Sequence, residues 1–171
     1  MSSEDTSPET YLFENDRNIP NSDYPLLVYR NVFSGTGGEG AAWLEHLFSE
    51  NGWDNCWRWT IYPFHHYHSN THEVLGIFQG SADLCIGGPA GKKMTVKSGD
   101  ILVIPAGLAH RCISSSDGFT VVGAYPGGKS PDLIRAEESD HDTAVKRIRQ
   151  VAVPDRDPVL GITGGLVKLW K

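Results

Sequence analysis

A chain of 171 residues is the length of one domain with a sizeable core, and no break in composition calls for a second. Its net charge of −6, with basic residues dispersed apart from Lys146, Arg147 and Arg149, excludes the basic stripe that a phosphate backbone needs, so no nucleic-acid partner is expected. No stretch approaches the roughly 18 apolar residues of a membrane span, and residues 1–18 lack a basic then apolar leader; no membrane association and a cytoplasmic location are expected.

In chain order, residues 1–10 carry no aliphatic side chain beyond the initiator Met and are predicted to be a disordered leader, with a single domain over 11–171. LLVYRNVF (26–33) is apolar and β-prone, and the glycine-rich SGTGGEG (34–40) ends it. In EGAAWLEHLFSENG (39–52) Trp43, Leu44, Leu47 and Phe48 form one helical stripe, with Asn51-Gly52 as its stop. From Cys56 to Tyr125 the pattern changes to short β-type runs separated by turn signals, beginning with CWRWTIYPFHHYH, within which Pro63 predicts a bulge or an edge. Such spacing, together with 19 Gly and 10 Pro, predicts an all-β sandwich or jelly roll. A second helix is predicted across 140–150, capped by Ser139 or Asp140, with Ala144, Val145 and Ile148 as its apolar stripe and the basic cluster as its solvated face. VPDRDPVLGITGG reads as an extended tail and LVKLW as a returning last strand. The three cysteines (Cys56, Cys85, Cys112) are odd in number and never in C-x-x-C, which predicts reduced thiols, with a single disulfide as the alternative.

Chemistry concentrates in HHYHSNTHE (65–73), four histidines and a glutamate within nine positions. On an extended strand alternate side chains share a face, so His66 and His68 point one way and His65 the other. Two imidazoles at that spacing can converge on one ion, and Glu73, at the start of the next run, returns a carboxylate beside them. His72, one residue earlier, is the rival and should face the opposite side. A third imidazole is expected from His110, which follows a rigid Pro-x-Gly turn, whereas His46 and His141 fall on helices and read as surface residues. The plainer reading of these histidines is hydrogen-bonded structural residues. A carboxylate with imidazoles suits Fe, Mn, Ni, Zn or Co without choosing among them.

HYHSNTHEVLGIFQG (66–80) matches H-x-H, four residues, E, six residues, G, and GDILVIPAGLAH (99–110) matches G, five residues, P-x-G, two residues, H. In both patterns the chain resembles the cupin superfamily, and HHYHSNTHEVLG, VVGAYP and the DPVLG tail resemble its uncharacterised, YjlB-like branch. The resemblance implies a jelly-roll β-barrel, a double-stranded β-helix with two short peripheral helices, holding one divalent metal on His66, His68, Glu73 and His110. One departure is Ser114, where the second motif commonly ends in Asn. Family resemblance leaves the reaction open, since one fold hosts many activities.

If His66 faces inward, parity places Phe64, Tyr62, Thr60 and Arg58 inward as well, unless Pro63 resets the register. Arg58 could then hold a substrate carboxylate or make a rim ion pair; Tyr62 and Tyr125 are further catalytic candidates, and Cys112 could approach the metal or be a small buried residue. The function expected is a metal-dependent enzyme acting on a small organic ligand or substrate, an oxygenase on Fe or Mn first and a Lewis-acid isomerase, decarboxylase or lyase second. The alternative is a metal- or small-molecule-binding protein without turnover, a sensor or store. The terminal segments are expected to make a homodimer interface.

Overall fold

Period-two alternation of apolar residues needs two sheets to bury it, and the computed structural model, which describes residues 7–16, 18–138 and 140–171, has two. In chain order the elements are β1 (Glu9–Tyr11), β2 (Leu26–Tyr29), α1 (Gly37–Glu50), β3 (Trp53–Trp59), β4 (His66–Tyr67), β5 (Glu73–Gln79), β6 (Ser81–Ile86), β7 (Lys92–Lys97), β8 (Ile101–Ile104), β9 (His110–Ser115), β10 (Thr120–Pro126), β11 (Ile134–Arg135), α2 (His141–Arg149) and α3 (Gly165–Leu169). Six strands pair in the order β1-β2-β8-β5-β10-β3 and five in the order β11-β4-β9-β6-β7, all pairings antiparallel. This is the expected jelly roll.

Alternate residues of the strands fill the space between the sheets. Leu75 and Ile77 of β5, Leu102 and Ile104 of β8, Leu84 and Ile86 of β6, Cys112 of β9 and Val121 of β10 belong to one buried cluster. The opposite faces of β5, β8 and β10 give Val74, Phe78, Ile101, Val103, Val122 and Ala124 to a second cluster beneath α1 and the C-terminal segment. Helix α1 lies close because Gly76 has no side chain: a Cβ there would stand 2.7 Å from Leu44 and 3.1 Å from Phe48. The helix buries Gly40, Ala41, Leu44 and Phe48, so its stripe is rotated from the one expected, and Trp43 is partly exposed, stacked on Phe33.

Three expectations are corrected. The leader drawn over 1–10 ends sooner, because Glu9–Tyr11 already pairs with Leu26–Val28; residues 1–6 lie outside the described residues. LVKLW is not a strand but the short helix α3, and the tail before it is anchored by Asp157. That carboxylate accepts hydrogen bonds from the Tyr29 hydroxyl (2.6 Å) and from the backbone N–H groups of Val159 (2.7 Å), Leu160 (3.1 Å) and Leu166 (3.1 Å). The run from Cys56 to His68 is not one strand: β3 belongs to the six-stranded sheet and β4 to the five-stranded sheet, and Pro63 lies in the crossing between them.

Helix α2 begins after Asp140, whose carboxylate accepts from Thr143 Oγ1; the alternative cap, Ser139, lies outside the described residues. All three cysteines are free. Among the described residues no helix is long and apolar enough to cross a membrane.

Candidate metal centre

His66 stands opposite His110 in the β4–β9 pairing, which brings the two rings to a centroid separation of 4.1 Å. His68 follows two residues after His66, at 5.8 Å from each of the other rings. One ligand atom from each of the three buried histidines lies within 4.8 Å of the other two, a spread that a small closing of the rings onto one ion brings into the ~2 Å bonding range. Glu73 enters from the six-stranded sheet with the same parity as Leu75 and Ile77, so its carboxylate points between the sheets. It stands 3.3 Å from His68 Nε2 and 3.2 Å from His110 Nε2.

The outward nitrogens of the three rings are anchored. His66 Nδ1 lies 3.0 Å from the Phe64 carbonyl, His110 Nδ1 3.0 Å from the Leu108 carbonyl and His68 Nδ1 2.5 Å from the Asp132 carbonyl. A carbonyl only accepts, so each Nδ1 carries a hydrogen and each Nε2 is left to face the others. Anchoring of this kind fixes the tautomer and raises the basicity of a ligand ring. Three imidazoles, each of which ligates in its neutral form once an ion takes the place of any hydrogen on Nε2, and a carboxylate are a donor set suited to a borderline divalent ion, so the residues present fit one.

The charges of the cluster are set by burial and by one another. Burial, with His110 beside it, lowers His66 to about 3. Burial opposes charge on His68 too, but the Glu73 carboxylate and the Asp132 carbonyl overcome it and raise His68 to about 9. Burial alone would raise Glu73; the charge of His68 and the hydrogen bonds from His110 and His68 instead hold it well below the usual carboxylate range.

Sequence parity places some neighbours wrongly. Arg58 does not face the cavity: it pairs with Val122 of the outer face, is largely exposed, and donates to Glu45 of α1 at 3.0 and 2.6 Å. The physical reason is the crossing at residues 60–65, which leaves one sheet for the other and resets the alternation. Trp57 and Trp59 face the cavity instead, and sequence reasoning missed both; their pairing with Gly123 and Val121 of β10 is the signal, and it is a long-range one. Gly123 is required there, since a Cβ would lie 2.2 Å from the Trp57 indole. Tyr62 and Tyr125 do line the cavity. Trp57 Nε1 donates to Tyr125 Oη at 2.8 Å, and burial together with Glu73 raises the Tyr125 hydroxyl far above its ordinary value.

His72 is buried on the opposite side of the strand from Glu73. Its Nδ1 accepts from the Ala106 N–H (2.9 Å), its Nε2 donates to the Ala152 carbonyl (3.1 Å), and burial lowers it to about 4. His65 is half-buried outside the cluster, and Cys112 packs in the core rather than in the cavity. His46 is a surface residue beside Glu50, and His141 Nε2 donates to Asn15 Oδ1. Arg147, expected on a solvated face, reaches Ser69 Oγ (3.2 Å) and Asp132 (3.7 Å), so it braces the loop that anchors His68. Ser114 lies on β9 opposite Asp83.

The four residues sit at the bottom of a cavity of about 300 Å³ between the sheets, closed on one side by Pro131, Asp132 and Leu133. A family model described as a cupin domain matches residues 60–122, which contain all four. Across 95% of this chain and 96% of its own length, the uncharacterized protein YjlB of Bacillus subtilis (strain 168) is 44% identical over 163 residues. Among solved structures, the WlaRB TDP-quinovose 3,4-ketoisomerase of Campylobacter jejuni is similar at a TM-score of 0.42 and 18% identity, over 54% of this chain and 75% of that one. The acireductone dioxygenase of Bacillus anthracis, which has a cadmium ion in its active centre, is similar at a TM-score of 0.37 and 16% identity, over 54% of this chain and 63% of that one.

Proposed function

This chain belongs to the cupin family, in the branch of B. subtilis YjlB, and on that premise we propose that it is a metal-dependent enzyme acting on a small organic molecule, an oxygenase using Fe or Mn. The observation that carries the reading is the clustering of three buried imidazoles, with a ligand atom of each within 4.8 Å of the others, around the buried Glu73 carboxylate that the Nε2 atoms of His68 and His110 reach, with every Nδ1 tied to a backbone carbonyl. His66, His68, Glu73 and His110 hold the ion. When bound, a divalent ion of this kind supplies Lewis acidity and open positions for substrate and, as Fe or Mn, redox chemistry with O₂. The residues around it exclude water and orient the substrate: Trp57, Ile61 and Leu75 wall the cavity with apolar surface.

A second reading, a Lewis-acid isomerase, decarboxylase or lyase, is favoured by Tyr125. Its oxygen accepts from Trp57 and its hydroxyl hydrogen is directed at the Glu73 carboxylate within the cavity, and its raised pKa keeps that proton in place for donation to a substrate oxygen. Homodimer formation through the terminal segments is part of the proposal. Leu12 and Ile162 are 65% and 67% exposed, and Pro8 packs beside Gly165, so the two terminal segments meet and each carries an exposed apolar side chain.

The test is metal analysis of protein purified without chelator or histidine tag, with His66→Ala and His110→Ala alongside. We expect one equivalent of Fe or Mn per chain, lost in both variants while the circular dichroism spectrum is kept. One equivalent of Zn or Ni favours the second reading. Unchanged stoichiometry in both variants would sink the ligand assignment.

A further inference from the structure

Ser69, Asn70 and Thr71 separate His68 from Glu73, and the metal reading gives them no task. Two of them grip the segment that follows β10. Ser69 donates to the Asp132 carboxylate through its backbone N–H (2.7 Å) and through its hydroxyl. Asn70 Nδ2 donates to the Ser130 carbonyl (3.0 Å), and the Asp132 N–H donates back to Asn70 Oδ1 (3.0 Å). Arg147 completes this clasp from α2 by donating to Ser69 Oγ at 3.2 Å. Ser69 is fully buried, so its bonds are not traded for water while the clasp is shut. Asp132 lines the cavity, yet its carboxylate is spent inside the clasp rather than on whatever enters.

The clasp serves two places at once. It sets the Asp132 carbonyl against His68 Nδ1, and it lays Pro131 and Leu133 along one side of the cavity mouth, whose other side is Trp59 and Tyr62. Trp59 and Leu133, 54% and 46% exposed, mark the opening. Little else holds this segment. It leaves β10 through Gly127 and Gly128, both at left-handed φ values (64° and 69°), and rejoins a sheet only at β11, whose two residues pair with β4 alone.

From this arrangement we propose that Asp132 is a positioning residue for the metal: through the clasp it holds the His68 ring and the Pro131–Leu133 wall in one arrangement, so that seating an ion on His68 and closing the mouth favour each other. The proposal rests on the metal reading of His68 given above. Coupling of this kind is reciprocal: an ion that orders His68 tightens the clasp, and cutting the clasp weakens the ion. His66 and His110 take their carbonyls from Phe64 and Leu108 of their own segments, so they are internal controls.

The test uses full-length protein loaded with Co²⁺, whose unpaired electrons shift the proton resonances of ligating rings away from all others. Wild type should show three shifted, solvent-exchangeable resonances, one from each Nδ1–H. Asp132→Ala should lower Co²⁺ affinity about ten- to a hundredfold and lose one of these resonances to exchange with water while the other two stay. Asp132→Asn keeps an oxygen for the Ser69 N–H and should restore the resonance and most of the affinity. Deuterium uptake over residues 129–135 should fall when Co²⁺ is added to wild type and be indifferent to it in Asp132→Ala. Three unchanged resonances in Asp132→Ala overturn the proposal, as does the joint loss of all three, which would make the segment a general support of the barrel. Uptake indifferent to Co²⁺ in loaded wild type also overturns it. Should Asp132→Ala fail to fold, Ser69→Ala decides in its place, selective broadening of the same resonance supporting the proposal and no change overturning it. A wild type that takes up no Co²⁺ refutes the metal reading instead; the His68 Nδ1–H in the ¹⁵N-histidine spectrum of the metal-free protein then decides, its selective loss in Asp132→Ala supporting the positioning role and its persistence overturning it.

Discussion

His72 and Glu73 are neighbours in sequence and opposites in chemistry. Glu73 turns inward among imidazoles; His72 turns outward into a dry contact with Trp170, where both ring nitrogens are spent on backbone groups of distant segments. The N–H that His72 accepts belongs to Ala106, in the turn that leads to His110, and the carbonyl it donates to belongs to Ala152, in the segment just after α2. His72→Leu leaves a buried donor and a buried acceptor unpaired, and we expect a loss of about 2–4 kcal/mol in urea unfolding, with metal stoichiometry retained. A comparable fall in metal content would show that His72 belongs to the site rather than to its support. Of the two adjacent residues, motif spacing and strand parity both selected Glu73 from the sequence, and the structure puts it beside His68 and His110.

At the scale of elements, the β runs from Glu73 to Pro126 were legible because each is a local alternation bounded by its own turn, and β5 to β10 appear where those runs are. Two elements were not legible, for different physical reasons. The crossing at 60–65 changes sheets without a strong turn signal, so counting by twos from His66 back to Arg58 carried the alternation through a segment that does not alternate. The five residues of α3 are too few for a helical period to register, and their conformation is decided by tertiary contacts: Leu166 N–H on Asp157, and Trp170 Nε1 on the Pro25 carbonyl at 2.9 Å. Asp157→Ala removes the acceptor for four donors at once, and thermal unfolding should show a loss of about 3 kcal/mol or more. Loss of less than about 1 kcal/mol would mean that the tail is held by its apolar contacts alone.

For the whole molecule, the site draws on both sheets: Glu73 and Tyr125 come from the six-stranded sheet, and His66 and His110 from the five-stranded one. An ion held by both would fasten the sheets together at the open end of the roll, and binding to the native state alone adds about 2.7 kcal/mol at a hundredfold excess over the dissociation constant. Removing the metal with a chelator should lower the melting temperature by about 5–10 °C, and re-addition should restore it; a melting temperature indifferent to metal would mean that the native state does not bind it. The three anchors of the rings differ in reach. His66 and His110 lean on carbonyls two residues before them, but His68 leans on Asp132, sixty-four residues away, in the loop that also closes the mouth and is gripped by Ser69 and Arg147. The two walls of the mouth are therefore unequal as material for divergence. Changes near Asp132 alter the ligand's doorway and the posture of a metal-facing ring together, whereas Trp59, free of any such tie, can be exchanged alone, so relatives of this chain with different ligands should vary first on the Trp59 side.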